Sequence, residues 1–277
     1  MTVGQKKYLT LQNLLRPKLN EGLIVAFSGG VDSAFLTWAA EQERQRSGGR
    51  LAALTTLSES FSQAERADAD RFIETHGVEH FWRDSNELLN PLYAVNDSRR
   101  CFHCKTELFN ICREVAERHD FKWIAYGYNA SDRGDVRPGH EAAIENSILS
   151  PLAEADLTKD DIRMLMREHG LEMAEKPASP CLSSRLMTGV FITPRKLKDV
   201  EDFEAILRDG GLRVFRVRLH EEGSTKFLRI EVSHDEMNAA LHLRERLVKE
   251  GLVRGYKWHR CRRGRRSKTA HRSRQTS

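Results

Sequence analysis

No run of about 18 apolar residues occurs in the 277-residue chain, so no segment reads as a helix able to cross a bilayer. The opening MTVGQKKYLT lacks the apolar stretch of a secretory signal, and the expected compartment is the cytosol. Internal repeats are absent, which excludes solenoids and propellers. Cysteine is scarce, confined to Cys101, Cys104, Cys112, Cys181 and Cys261. In a reducing compartment these are expected to be catalytic, metal-binding or buried, not disulfide-bonded. Acidic residues are missing from the carboxyl terminus. Residues 260–277 hold eight Lys or Arg and no Asp or Glu, so the formal charge of +5 belongs to the tail; the remainder carries 37 basic against 40 acidic residues, a net of −3. Such a run can bind nucleic acid or form a solvated end, and residues 269–277 are expected to be a disordered basic tail.

With 39% hydrophobic residues, the chain can bury one sizeable core and a smaller second one. GLIVAF (22–27) has strand length and leads through a Ser-Gly-Gly turn into the helical VDSAFLTWAAEQERQR, which ends at Gly48-Gly49. LAALTTL (51–57) reads as a second strand, QAERADADRFIETHG as an amphipathic helix closed by Gly77, and EHFWRD as a third strand. A helix around 103–119 precedes a fourth strand, KWIAYGY (122–128). This alternation predicts a doubly wound parallel α/β sheet with ligands at the carboxyl ends of its strands. Residues 141–169 read as helical, with Thr158 and Asp161 as a capping pair. KPASPCLSSRLMTG (176–189) reads as a loop. From residue 191 the order helix (PRKLKDVEDFEAILRDGG), strand (RVFRVRL), strand (FLRIEV), helix (DEMNAALHLRERLVKEG), strand (VRGYKWH) predicts a small α+β domain. The expected domains are 1–190 and 191–268, followed by the tail.

Neither the G-x-x-x-x-G-K-[ST] loop nor G-x-G-x-x-G is present. The first strand leads instead into Ser28-Gly29-Gly30-Val31-Asp32-Ser33, two glycines opening directly into a helix. Backbone N–H groups and the positive helix end can surround a phosphate there, because no side chain blocks the approach. An ordinary strand-to-helix turn is the plainer alternative. In context, the segment resembles the pyrophosphate-binding PP-loop of the N-type ATP pyrophosphatases, whose fold is adenine nucleotide alpha hydrolase-like. The resemblance implies that Ser28, Gly29, Gly30, Asp32 and Ser33 bind ATP, with Asp32 also holding Mg²⁺.

Arg100-Cys101-Phe102-His103-Cys104-Lys105 is a C-x-x-C at the start of a helix, where the helix end lowers a thiol pKa and favours thiolate chemistry. Zinc normally takes four ligands, and no second C-x-x-C is present, although His103 or another His could complete a set. Three cysteines, with Cys181 as the third, also fit an iron-sulfur cluster that leaves one iron open. Cys112, among Phe109, Ile111 and Val115, reads as a buried small hydrophobe, and Cys261 as an exposed thiol.

PASPCLSSR (177–185), RCFHCK (100–105), SPLAEADLTKDDIR (150–163) and the pair FRVRLH (215–220) with RIEV (229–232) together resemble the LarE-type ATP-dependent sacrificial sulfur transferases, over nearly the whole chain to about residue 268. The resemblance implies that a carboxylate of a pyridinium-dicarboxylate mononucleotide attacks the ATP α-phosphorus, releasing pyrophosphate. A sulfur nucleophile then displaces AMP to leave a thiocarboxylate for the nickel-pincer nucleotide. In single-cysteine members the residue matching Cys181 surrenders its own sulfur and becomes dehydroalanine. Members that also carry C-x-x-C are thought to hold a [4Fe-4S] cluster, here on Cys101, Cys104 and Cys181, and this is the branch expected.

By the same resemblance Cys181, Asp32 and Lys105 are catalytic, and Thr55 and Gly127 line adenine and ribose. Ser184, Arg185, Arg216 and Arg218 bind the substrate phosphate, Arg216 and Arg218 falling on one strand face by period-two spacing. Glu204 and Glu231 fall where relatives hold acidic residues near Mg²⁺. Without the resemblance each arginine reads equally as a solvated surface charge. A homo-oligomer and a small-molecule nucleotide substrate are also implied, with no membrane and no nucleic acid. The rival is a PP-loop tRNA thiolase, which uses similar cysteines and would suit the basic tail; against it stands the slightly acidic body.

Overall fold

The computed structural model describes residues 2–134, 137–177 and 179–257. Cys261, the basic tail and the end of VRGYKWH lie outside the described residues. The chain divides into two units, Met1–Cys181 and Leu182–Ser277.

The first unit opens with α1 (Val3–Asn20), which the sequence pattern does not announce. Its start is a capping box, in which the Thr2 hydroxyl accepts from Gln5 N and the Gln5 side chain accepts from Thr2 N. Then come β1 (Leu23–Ala26), α2 (Val31–Ser47), β2 (Leu51–Leu57), α3 (Gln63–His76) and β3 (Glu79–Asp84). Ser62 caps α3 by accepting from Glu65 N, and Gly77 closes it at φ +63°. After α4 (Pro91–Ala94) and α5 (Arg100–Arg118), β4 (Trp123–Tyr126) completes the sheet.

The helical stretch expected over 141–169 is three separate helices, α6 (Pro138–Glu145), α7 (Pro151–Glu154) and α8 (Lys159–Glu168). Ser147 and Asp156 sit at φ +56°, a left-handed conformation that a right-handed helix cannot carry through, and Pro151 restarts the chain at the head of α7. Thr158 and Asp161 form the expected capping box of α8.

All sheet pairings are parallel, in the order β3-β2-β1-β4. Side chains alternate along the strands. Leu23, Val25, Leu51 and Ala53 meet Leu15, Leu19 and Phe35 of α1 and α2, whereas Ile24, Ala26, Ala52 and Leu54 meet Phe109 and Cys112 of α5. Burial on both faces is why these strands read as unbroken apolar runs. The strand order reverses between β1 and β4, so the switch-point crevice lies at their carboxyl ends.

In the second unit α9 (Pro194–Asp209) packs on the antiparallel hairpin of β5 (Phe215–Glu222) and β6 (Thr225–Val232), burying Leu197, Phe203, Leu207, Val217 and Leu219. The helix expected over 235–251 is broken into α10 (Met237–His242) and α11 (Arg244–Val253) at Leu243, whose side chain occupies the space over Gly210. Because α11 runs to Val253 and a turn comes next, the expected last strand is, among the described residues, a single bridge from Lys257 to Phe227.

Candidate active site

At the end of β1, Phe27 N still donates to Leu54 O (2.8 Å), and Ser28-Gly29-Gly30 then turns the chain into α2. Gly29 is left-handed at φ +68°, strained for any side chain, and a Cβ there would stand 3.4 Å from Glu65 O. Gly30 is the N-cap of α2 and provides no capping side chain. The loop is braced from within. Ser33 Oγ donates to Gly30 O (3.0 Å), accepts from Ser28 N (3.2 Å) and lies 3.1 Å from Ser28 Oγ. A rigid, side-chain-free helix start of this kind suits an anion.

Asp32 stands in the first turn of α2. Its Oδ2 is 3.5 Å from Lys159 Nζ, while its Oδ1 is buried and accepts no hydrogen bond. Burial raises the Asp32 pKa, Lys159 opposes the rise, and Asp132 adds to it. A buried carboxylate oxygen with no partner is costly and suits a cation. Gly127, beyond β4, faces the same turn: a Cβ on it would be 2.7 Å from Ser33 N. Its lack of a side chain therefore serves the contact between β4 and α2. Thr55 is 2% exposed. Its hydroxyl donates to Phe27 O (2.7 Å), so His80 Nε2–H, 2.9 Å away, donates to it in turn. Thr55 thus holds the strand end in place.

Cys101 and Cys104 lie in the first turns of α5, the former exposed and the latter half-buried; Cys181 is exposed. Arg100 Nη2 is 3.5 Å from Cys101 Sγ, and the Cys181 and Cys101 thiols both raise the Arg100 pKa. Cys104 in turn feels Cys181. The three thiols therefore share one electrostatic neighbourhood. The expectation that the helix start lowers the thiol pKa fails at Cys104, which is pushed well up, first by burial and then by Glu87. Glu87 is buried, and its Oε1 accepts from Ser58 Oγ (2.8 Å), Ser60 Oγ (2.5 Å) and Tyr93 OH (2.9 Å). Lys105 Nζ lies 5.9 Å from the Phe109 and Tyr126 ring centres. Cys112 is buried in the core, as expected.

Among the described residues no three His, Cys, Asp or Glu side chains converge closely enough to hold a single metal ion. The thiolates of a four-iron cubane stand further apart than those around one ion. Three cysteine thiols, one of them 3.5 Å from the Arg100 guanidinium, are donors of the chemical kind that such a cluster takes.

In the second unit Arg185 is 4% exposed and donates from Nε and Nη2 to the two oxygens of Glu204 (2.8 and 3.4 Å); Val217 N also donates to Glu204 Oε1 (3.1 Å). Arg218 Nε and Arg229 Nε donate to Glu231 (2.9 and 3.1 Å), and Arg218 Nη1 donates to Ser184 O (3.4 Å). Arg216 pairs in register with Glu231 across the hairpin, and its pKa is lowered by burial, then by Arg185 and Arg218. Four guanidinium groups here meet two carboxylates, leaving an excess of positive charge for an anion. Both carboxylates expected near a metal are counterions of arginines.

No protein-family profile matches the chain. It is 37% identical to an uncharacterized protein of Synechocystis sp. over 195 residues, 70% of this chain and 72% of that one. It is 26% identical to an uncharacterized protein of Methanocaldococcus jannaschii over 266 residues, 91% and 94% of the two. With the pyridinium-3,5-bisthiocarboxylic acid mononucleotide synthase of Lactiplantibacillus plantarum it shares 28% identity over 234 residues, 84% of this chain and 83% of that one. The chain belongs to the LarE-type family of sulfur transferases.

The LarE-type site residues expected from sequence fall into two groups. One comprises the loop 28–33 with Thr55 and Gly127 and the three thiols with Lys105, all in the first unit; the other comprises Ser184, Arg185, Glu204, Arg216, Arg218 and Glu231 in the second. Lys159 beside Asp32, Glu87 beside Cys104, and Lys176 beside Gly29 have no signal of their own in the sequence. Among the described residues, no helix of this LarE-type chain is long and apolar enough to cross a membrane.

Proposed function

We propose that this LarE-type chain uses ATP to adenylate a carboxylate of a pyridinium-dicarboxylate mononucleotide and then converts that carboxylate to a thiocarboxylate. The unpartnered Oδ1 of Asp32, beside an uncapped helix start, carries the reading. In it, the PP-loop amides bind the phosphates that depart, and Asp32 holds Mg²⁺, which neutralises their charge when bound. The substrate carboxylate oxygen bonds to the α-phosphorus, and the bond to the bridging oxygen breaks, that oxygen leaving with pyrophosphate. A sulfur nucleophile next bonds to the acyl carbon, and the bond from that carbon to the phosphate-linked oxygen breaks, AMP leaving with that oxygen and the bonding electron pair. Lys105 assists near the acyl group, and Arg216 and Arg218 bind the substrate phosphate, for which the surplus of guanidinium charge provides support. Cys101, Cys104 and Cys181 would hold a [4Fe-4S] cluster, which supplies an open iron able to carry sulfide.

The test is turnover under anaerobic conditions with ATP, Mg²⁺ and the mononucleotide. Pyrophosphate and AMP should appear in step with a product whose mass rises by the difference between sulfur and oxygen. Pyrophosphate release that ignores the mononucleotide would refute the assignment of substrate.

A further inference from the structure

Lys176 lies on the segment that leads to Cys181, yet its ammonium reaches back to the nucleotide loop. Lys176 Nζ donates to Gly29 O (3.0 Å) and Glu65 Oε2 (2.8 Å) and lies 2.8 Å from Asp68 Oδ2. Its side chain is 12% exposed, and these three acceptors match its three protons. Its backbone is held as well: Arg163 Nη2 donates to Lys176 O (2.8 Å), and Lys176 N donates to Met173 O (3.0 Å). Burial raises the Asp32 pKa and Arg163, after Lys159, opposes that rise, so the anchor of this segment and the carboxylate of the loop share a neighbour.

A trans peptide directs its C=O and N–H to opposite sides. With Gly29 O held toward α3 by Lys176, the N–H of Gly30 is turned the other way, toward Ser28 Oγ at a long 3.4 Å. Gly29 itself has the freedom to flip, since glycine tolerates either sign of φ. Within the loop this orientation is supported by the long contact from Gly30 N–H to Ser28 Oγ; the ammonium adds a shorter, charge-assisted hydrogen bond to Gly29 O.

We propose that Lys176 is a positioning residue that locks the Gly29–Gly30 peptide with its N–H toward the bound phosphate and makes the segment bearing Cys181 respond to nucleotide. The inference rests on the nucleotide reading above. A purely structural ion pair would stabilise the fold and do neither of these things.

The test uses the full chain before iron is added, so that alkylation reads the Cys181 thiol, its Lys176→Met variant, which keeps the aliphatic stem, and Lys176→Arg, which keeps the charge. Three quantities are read: calorimetric affinity for Mg²⁺ with an ATP analogue blocked between the α- and β-phosphates, the rate of Cys181 alkylation with and without that analogue by peptide mass spectrometry, and the melting temperature. In the parent, the analogue should change the alkylation rate. Lys176→Met should bind at least about 10-fold more weakly, the scale of a lost charge-assisted hydrogen bond, and its Cys181 should no longer respond at saturation. Lys176→Arg should restore part of both. Parental affinity and a parental Cys181 response in Lys176→Met would overturn the proposal, as would a lowered melting temperature with binding and response unchanged. A parent that binds no analogue would remove the nucleotide reading itself, visible before any variant is made.

Discussion

Gly127 lies against the backbone of Ser33 so closely that a Cβ at position 127 would stand 2.7 Å from the Ser33 nitrogen and 3.0 Å from the Asp32 carbonyl carbon. Both neighbours are main chain and cannot swing aside. Gly127→Ala should therefore displace the first turn of α2, costing roughly 1–3 kcal/mol of stability as overpacking does. Because that turn carries Asp32, the KM for ATP should rise together with the loss in melting temperature. A variant with parental values of both would show that the contact is slack.

Asp32→Asn removes a charge whose Oδ1 is buried without a partner and whose Oδ2 faces Lys159 at 3.5 Å, and keeps the side-chain shape. The raised pKa of Asp32 means that its ionised form is disfavoured in the folded chain, so stability is lost as pH rises through the folded pKa. The variant should thus be as stable as the parent at pH 7, or more so by roughly 1 kcal/mol. Pyrophosphate release, in contrast, should fall by more than about 100-fold, since several kcal/mol of charge stabilisation depend on the ion it holds. Release at the parental rate would sink the assignment of Asp32 to Mg²⁺.

The cysteines separate by iron content. Cys101→Ala, Cys104→Ala and Cys181→Ala should each lose iron and thiolation activity together after anaerobic reconstitution, since every one removes a ligand. Cys112→Ala, a change inside the core, should keep its iron at a cost of about 1 kcal/mol in stability. An active, iron-loaded Cys101→Ala, or dehydroalanine at position 181 after turnover, would favour sacrifice of the Cys181 sulfur.

His80 gives a pH signature. Burial pushes it down from 6.5 to about 4, so the folded chain binds fewer protons than the unfolded chain between those values. Its contribution is present above pH 6.5 and is lost as pH falls toward 4. Urea titrations at pH 7.5 and pH 5 should show the parent losing on the order of 1–2 kcal/mol more than His80→Gln, a figure discounted for the partial solvent access of the ring. Equal losses would mean that the His80 pKa is the same in the folded and the unfolded chain.

The first unit's strands and the helices beside them were legible because their signals are local. β2 and β3 have the bounds that LAALTTL and EHFWRD suggest: β2 is an apolar run buried over its first five residues, and β3 is a half-buried edge strand that begins just after Gly77. The Ser28–Ser33 loop was equally plain, glycine being the residue that a left-handed turn into a helix demands. So was the Thr158–Asp161 cap, whose partners are three residues apart. Where periodicity alone was followed, it ran too far: it joined α6, α7 and α8 across Ser147 and Asp156, and α10 to α11 across Leu243.

Contacts between residues far apart in the chain left no such trace. Lys176 reaches Gly29, Gly127 meets Ser33, and Glu87 stands beside Cys104, each pair brought together by the packing of separate elements. The arginines of β5 could be placed on one face by period two, yet that Glu231 is the counterion of Arg218, and Glu204 that of Arg185, comes from β6 and α9 packing on that strand. Helix and strand periods are properties of a few neighbouring residues and survive in the sequence. The partner of a buried charge is chosen by the three-dimensional packing that removes it from water, and that choice is made only when the chain folds.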